Sequence, residues 1–390
     1  MLADFDADSF KPAEFKWTEQ GLGNIGLGVA EMDFGTAPVV VEAVQRALKS
    51  GLHGYLAPAR SMATREACAR WQQTRYGWPV DAELIRLVPD VVSALFRIIT
   101  EYIDPGWPVL IMTPAYPKFF GIARALGRRA LGVGLLREGG GYSVDLERIE
   151  HHLKDLGPSL IILCNPHNPT GHVLIEDELF GIAQLVYRYG GMVISDEVHA
   201  PLTKPSAIHV PFASLSGGSA SGISFTISSA SKAWNISGVK CAEVILPSER
   251  AAGKWDRSEV LRSTSNSTST LGAVASQAAY LNGSEWLDSV IDYLVGNCHV
   301  VSRFARTELP VVDYVEPAAS YLAWMELPDW VGEGYAGPAE FILRSARVSV
   351  AEGASFGPNS QNFVRLSFGT SRLVLVQALA RMASAMSGTR

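Results

Sequence analysis

Two hydroxyls, a lysine and a second cation lie close together in the chain: Ser229, Ser231, Lys232 and Lys240. A lysine displaced from bulk water loses proton affinity and becomes a usable amine nucleophile and base. Hydroxyls and a cation beside it make a cradle for a phosphate. An amine that attacks a carbonyl, next to a site for a phosphate dianion, is what a pyridoxal phosphate (PLP) Schiff base requires. A solvated surface lysine could carry the same neighbours, since charged side chains are mostly exposed. Ser229-x-x-Lys232 also matches the Ser-x-x-Lys of penicillin-binding enzymes, but the companion Ser-Asp-Asn and Lys-Thr-Gly are absent.

Further segments raise the argument above a lone lysine. Asn165-Pro166-His167-Asn168-Pro169-Thr170-Gly171 follows the apolar run Ile161 to Cys164. Asp196-Glu197-Val198-His199 follows Val193-Ile194-Ser195, and Ser229 to Lys232 follows a run ending at Ser228. Open α/β sheets bind ligands at the carboxyl ends of their strands. Each segment alone reads as a turn, or in the case of Asp196 as a helix cap. Together they offer the groups PLP needs. Its pyridine nitrogen must stay protonated, so it needs an anion, and Asp196 can supply one. Its phenolate oxygen needs a neutral donor, and Asn168 fits. Its phosphate needs amides at a helix N-terminus, hydroxyls and a cation. Val91 and Val92 open a helix after Pro89, and Ser229, Ser231 and Lys240 complete the set.

The elements that must position these groups follow from periodicity. Candidate strands are Ile85–Pro89, Pro108–Thr113, Arg129–Leu135, Ser159–Cys164, Met192–Asp196, Ile223–Ser228 and Cys241–Leu246. Most are short apolar runs without polar alternation, as in sheets buried on both faces. Helices are expected from Pro38 to Ser50 and from Arg60 to Tyr76. Another carries Ile175, Leu179, Ile182, Val186 and Tyr189 at helical spacing and is closed by Gly190. Strand and helix alternate, which predicts an α/β fold with a seven-stranded, mostly parallel, doubly wound sheet between helices. From Ser284 the pattern changes to a long helix, roughly Glu285 to Glu308, then short strands near Tyr321–Met325 and Phe363–Ser367. A last helix with Leu375, Leu379, Met382 and Met386 on one face follows Ser371 as a possible N-cap. The expected organisation is an N-terminal arm over 1–36 packing with the small domain, a large PLP-binding domain over 37–284, and a smaller α+β domain over 285–390.

Two motifs lack the context they need. Gly21-x-Gly23-x-x-Gly26 matches the dinucleotide fingerprint, which wants a strand before and a helix after. Here Leu27-Gly28-Val29-Ala30 looks extended. Gly353-x-Ser355-x-Gly357 matches a nucleophile elbow, but Pro358-Asn359-Ser360 cannot begin the required helix, so a turn is expected.

At 390 residues the chain calls for more than one core. It is 47% apolar and 18% charged, a globular composition. Net charge is −6 with no long basic run, which argues against a nucleic-acid partner. No apolar run reaches bilayer length, and the start Met1 to Asp6 lacks a secretory pattern. The four cysteines, Cys68, Cys164, Cys241 and Cys298, are far apart, as expected of reduced thiols in a cytoplasmic protein.

Asn-Pro-x-Asn-Pro-Thr-Gly (165–171), Ser-Asp-Glu-x-His (195–199) and Ser-x-Ser-Lys-x-Trp-Asn (229–235) resemble the class I/II aminotransferase family, the fold type I PLP enzymes. Within it the chain is similar to the MalY/PatB-type, cystathionine β-lyase-like C–S lyases. The similarity runs from about Gly28 to the C-terminus. It is also carried by Val29-Ala30-Glu31-Met32-Asp33-Phe34, Thr113-Pro114-Ala115-Tyr116-Pro117 and Ile208-His209-Val210-Pro211-Phe212. The resemblance implies that Lys232 holds the cofactor, Tyr116 stacks on the pyridine ring and Arg365 grips the substrate α-carboxylate. It implies that Ala30 lies in a strand bordering that carboxylate. It also implies that Tyr55 reaches the phosphate of a neighbouring subunit, hence a homodimer with shared sites. His199 stands where many aminotransferases place a tyrosine beside the PLP oxygen, as in the lyase branch. Asp90 stands where this branch usually has glycine, an acid beside a phosphate. Ile175 replaces the usual capping Thr or Ser and should weaken that helix start.

The activity these features imply is β-elimination from a sulfur amino acid, cystathionine or a related S-substituted cysteine. Lys232, released by the substrate amine, would take the Cα proton while Arg365 fixes the geometry. Loss of the Cβ–S bond would release a thiol, then pyruvate and ammonia. An aminotransferase shares the early steps and is the alternative on the same scaffold. A PLP-binding regulatory protein without turnover is the alternative of another class. Thiol-side selectivity is expected in loops such as Gly332–Pro338 and Gly353–Asn359.

Overall fold

The computed structural model describes residues 15–18, 21, 23–138, 140–215, 220–309 and 311–387. The expected arm is therefore described only in part, and the segment read as lacking a secretory pattern lies outside the described residues.

Seven strands form the principal sheet: β1 (Ile85–Val88), β2 (Val109–Thr113), β3 (Ala130–Gly134), β4 (Leu160–Cys164), β5 (Met192–Asp196), β6 (Ser224–Ser228) and β7 (Ala242–Ile245). Their order is β1-β7-β6-β5-β4-β2-β3. Only β7 runs antiparallel to its neighbours, β1 and β6; the pairs β2–β3, β2–β4, β4–β5 and β5–β6 are parallel. Every residue of β1, β2, β4, β6 and β7 is buried. Those strands can be apolar on both faces because helices cover both. Each large aliphatic side chain so buried contributes about 1.5–3 kcal/mol. The mostly parallel arrangement expected from the alternation is the one found. It brings the ends of β1, β2, β4, β5 and β6 and the beginning of β7 to one edge.

The helices that matter to that edge are α1 (Pro38–Lys49), α2 (Pro58–Tyr76), α3 (Val91–Tyr102), α4 (Glu176–Arg188), α5 (Ser284–Thr307), α6 (Pro338–Ala346) and α7 (Arg372–Ser387). Helix α2 begins two residues earlier than expected because Pro58 occupies its first turn, where the missing N–H costs nothing. Helix α4 lacks a side-chain cap at Ile175, but Glu178 compensates from inside. Its carboxylate accepts the Ile175 amide at 2.9 Å and the Val144 amide at 2.7 Å.

A second sheet holds β8 (Leu322–Glu326) and β9 (Phe363–Ser367), antiparallel, flanked by Asp313–Tyr314 and Ala351–Glu352. Helix α7 buries Leu375, Leu379, Met382 and Met386, and the Ser371 hydroxyl accepts the Val374 amide at 3.3 Å, as expected. Ile25–Gly26 pairs in parallel with Val348–Ser349, so the Gly21–Gly26 motif leads into a short strand and no helix follows it. Gly26 is required by close approach: a Cβ there would lie 2.0 Å from the Lys16 carbonyl oxygen. Gly353–Phe356 is a 3-10 turn rather than an elbow, and the Ser355 hydroxyl is spent on the Glu352 carbonyl at 2.7 Å. The Phe15–Thr18 turn is fastened by Asp33. One carboxylate oxygen accepts Lys16 Nζ at 2.9 Å and the other accepts Trp17 Nε1 at 2.9 Å.

Candidate active site

A cavity of about 830 Å³ opens at the carboxyl edge of the large sheet. Every residue singled out for the site lines it except Tyr55, which is 95% exposed and lies outside the chain's own cavity. The strand ends explain the convergence. Asn168 follows β4, Asp196 ends β5, Lys232 follows β6, Tyr116 follows β2, and Val91 and Val92 begin α3 after β1. Cys164 and Asp196 are register partners across β4 and β5, so the two loops leave the sheet side by side.

Lys232 Nζ donates to the Ala30 carbonyl at 3.0 Å. Burial lowers its pKa from 10.5 to about 8, and the Arg365 charge adds to the effect. The amine is thus a base and nucleophile near neutral pH. Ala30 is not in a strand, as the resemblance implied. The strand ends at Gly26, and Ala30 sits in a bend beyond it. Its carbonyl is held there by the Tyr321 hydroxyl at 2.9 Å. Asn235 clamps the same segment by bonding both the Met32 amide, at 3.0 Å, and the Met32 carbonyl, at 2.8 Å.

Asp196 is buried, and its carboxylate accepts the Val198 amide at 3.2 Å. Burial raises its pKa from 3.8 to about 7, with the Glu197 charge adding to the rise and the Lys232 charge opposing it. A carboxylate so poised becomes an anion readily when a cationic ring nitrogen arrives. Glu197 holds the loop by accepting the Ser195 hydroxyl at 2.8 Å and the Phe212 amide at 3.0 Å, and it meets His209 Nε2 at 3.2 Å. His199 is buried and its pKa falls to about 3, through burial first and then the Lys232 and Arg365 charges. It is a neutral imidazole, and its Nδ1 lies 3.1 Å from the Ser320 hydroxyl.

Arg365, in β9, is the buried cation of the cavity. Its Nη1 donates to Asn168 Oδ1 at 3.2 Å and its Nη2 to the Gly28 carbonyl at 2.8 Å. Its Nε is buried without a hydrogen-bond partner among the described residues. Desolvation lowers its pKa to about 10, which leaves it fully charged at neutral pH. Arg365 lines the cavity, and a guanidinium there fits a carboxylate. Burial also raises the pKa of the Tyr116 phenol, which therefore stays neutral.

At the other end, α3 points its N-terminus into the cavity. Asp90 caps it, accepting the Ser93 amide at 2.8 Å, which leaves the Val91 and Val92 amides at the cavity wall. The second Asp90 oxygen accepts Lys240 Nζ at 3.1 Å. The acid that looked unfavourable beside a phosphate is thus a helix cap and the partner of the cradle's lysine. Ser229 differs from expectation. Its hydroxyl donates to the Cys241 carbonyl at 2.8 Å and accepts the Ser231 amide at 3.1 Å, so its proton is not free for a phosphate. The Ser231 hydroxyl lines the cavity beside it.

Tyr321, Ser320, Glu197 and Asn235 had no role assigned from sequence, although Glu197 and Asn235 stand inside the quoted motifs and Tyr321 begins an expected strand. Tyr321, Ser320 and Asn235 act through partners far away in the chain, and Glu197 through the nearby Ser195, His209 and Phe212. The remaining wall also differs from expectation. Ala339, Glu340 and Leu343 of α6, with Ser349 to Glu352, line it, rather than residues of the Gly332–Pro338 and Gly353–Asn359 loops.

The donor set fits PLP: an amine on Lys232, an anion-forming Asp196, a neutral amide at Asn168, and helix amides with Ser231 and Lys240 at the far end. The comparisons agree. The family model for aminotransferase class I and II matches residues 23–382. The chain is 34% identical to cystathionine beta-lyase PatB of Bacillus subtilis, over 95% of this chain and 96% of that one. It is 32% identical to cystathionine beta-lyase of Corynebacterium glutamicum, over 95% and 96%. The PLP-bound C–S lyase of Staphylococcus hominis superposes with a TM-score of 0.90 at 28% identity, covering 98% of each chain. By fold, by the matched family model and by these relatives, the chain belongs to the class I and II aminotransferase family.

Proposed function

We propose that this protein is a PLP-dependent carbon–sulfur β-lyase. It cleaves cystathionine, or a related S-substituted cysteine, to a thiol, pyruvate and ammonia, with water consumed. The observation that carries this reading is the convergence of Lys232, Asp196 and Arg365 on one cavity from three separate segments. Bound PLP supplies an electron sink for the pair left at Cα. The protein's own groups do the rest. Arg365, in the cavity wall, would bind the α-carboxylate through guanidinium N–H groups not committed to Asn168 and Gly28, and so fix which Cα bond is cleaved. Lys232, with its pKa near 8, is neutral often enough to take the Cα proton and deliver it onward. Asp196 would keep the ring nitrogen protonated, and Asn168 and neutral His199 would serve the ring oxygen. Tyr116 would stack on the ring. Ser231, Lys240 and the amides of Val91 and Val92 would hold the phosphate.

The full exposure of Tyr55, outside its own cavity, supports a homodimer in which it serves the partner's site. Among the described residues no helix is long and apolar enough to cross a membrane. The four cysteines are free and buried, which supports a reducing, cytoplasmic setting.

Cystathionine supplied without any keto acid tests the function. A lyase releases pyruvate over many turnovers, and Lys232→Ala releases none. A reaction that gives no pyruvate and stops after one equivalent per site of the substrate's own keto acid means transamination instead.

A further inference from the structure

The phosphate end of the cavity contains its own anion. Asp90 is the N-cap of α3, with one oxygen on the Ser93 amide at 2.8 Å and the other on Lys240 Nζ at 3.1 Å. Both residues line the cavity with Val91, Val92 and Ser231. Lys240 is fixed in the left-handed region, at φ 59°, on the way into β7. Lys240 and the covalent-carrier candidate Lys232 are the only lysines among the described residues lining the cavity. The Ser93 and Lys240 contacts hold the Asp90 carboxyl below its usual range, so it is charged throughout neutral pH.

An arriving phosphate dianion meets a cradle in which the cation already has a countercharge. What remains attractive is the positive end of α3, the hydroxyls and whatever fraction of Lys240 the phosphate takes from Asp90. We propose that Asp90 competes with the cofactor phosphate for Lys240 and thereby sets a weakened, exchangeable hold on PLP. The inference rests on the PLP reading of the site. It concerns affinity for the phosphate, not the chemistry at Lys232. A carboxylate within a few ångströms of a dianion in a partly solvated cleft costs about tenfold or more in binding.

Asp90→Asn separates charge from structure, because Asn caps a helix as well as Asp does. Apoprotein of the wild type and of Asp90→Asn is titrated with PLP and, separately, with pyridoxal, which lacks the phosphate. The expected result is a PLP Kd about tenfold lower in Asp90→Asn with the pyridoxal Kd unchanged. In the Asp90→Asn background Lys240→Met should weaken PLP binding by a larger factor than it does in the wild type. Asp90→Ser, another capping residue, should tighten PLP binding in the same direction. An unchanged or raised PLP Kd in Asp90→Asn, or equal tightening for pyridoxal, overturns the proposal. Wild-type apoprotein that takes up no PLP at all would overturn the cofactor reading beneath it.

Discussion

Arg365 Nη1 donates to Asn168 Oδ1 at 3.2 Å, joining a residue of the second sheet to the loop that follows β4 of the first. The group expected to hold the substrate carboxylate therefore also orients the amide expected to meet the cofactor oxygen. Nη2 donates to the Gly28 carbonyl at 2.8 Å, and beyond these two contacts each terminal nitrogen has a second N–H to offer an incoming anion.

Arg365→Lys keeps the charge and loses the fork. The truncated contact should cost roughly 2–5 kcal/mol of substrate binding, a fall in kcat/KM of about 30-fold to a few thousand-fold. Steady-state kinetics with cystathionine should show it, and PLP affinity should change much less. Retention of wild-type kcat/KM would remove Arg365 from substrate recognition.

The depressed pKa of Lys232 has a direct pH signature. The neutral amine is the species that captures an aldehyde. The rate of PLP uptake by apoprotein should climb with pH and level off above about 8. Stopped-flow absorbance measures it. A midpoint near 10.5, the value of an ordinary lysine, would mean that the amine is not shielded.

Asp196 has a folded-state pKa of about 7 against 3.8 for an ordinary aspartate. Its neutral form favours the fold, so its contribution is fully present below 3.8 and is lost as pH rises through about 7. Asp196→Asn apoprotein should therefore gain in thermal midpoint relative to wild-type apoprotein as pH is raised from 4 toward 8. Paired melting curves across that window test this. The same variant should lose most of its turnover, because nothing then holds the ring nitrogen protonated.

Lys16 and Asp33 form an ion pair whose side chains are 1% and 3% exposed. Asp33→Ala removes the carboxylate that meets both Lys16 Nζ and Trp17 Nε1. Breaking a buried pair from one side costs about 3–5 kcal/mol. The denaturation midpoint should fall accordingly, and amide exchange should rise first around residues 15–18 and 23–33.

The sheet and its tip residues were legible because their signal is local. A strand buried on both faces is an unbroken apolar run, and Leu160 to Cys164 could hardly be read otherwise. Lys232, Asp196 and Asn168 each stand directly after such a run, so the fold rule placed them together. Tyr321, Ser320 and Asn235 could not be found this way. Tyr321 meets Ala30 across 291 positions, and a contact of that kind has no spacing to read. Asp90 was visible as a departure, but its partner Lys240 lies 150 positions away, so the sense of the departure was not. The Ser229 contact was hidden for a related reason: its acceptor, the Cys241 carbonyl, is a backbone atom that no side-chain pattern reports.

Borohydride trapping followed by peptide mass mapping tests the central claim most directly. Purified protein incubated with PLP and reduced should carry one stable pyridoxyl phosphate group, on the peptide containing Lys232, and Lys232→Ala should carry none there. A cofactor group found on another lysine, or a Lys232 peptide of unchanged mass in PLP-saturated protein, would contradict the account.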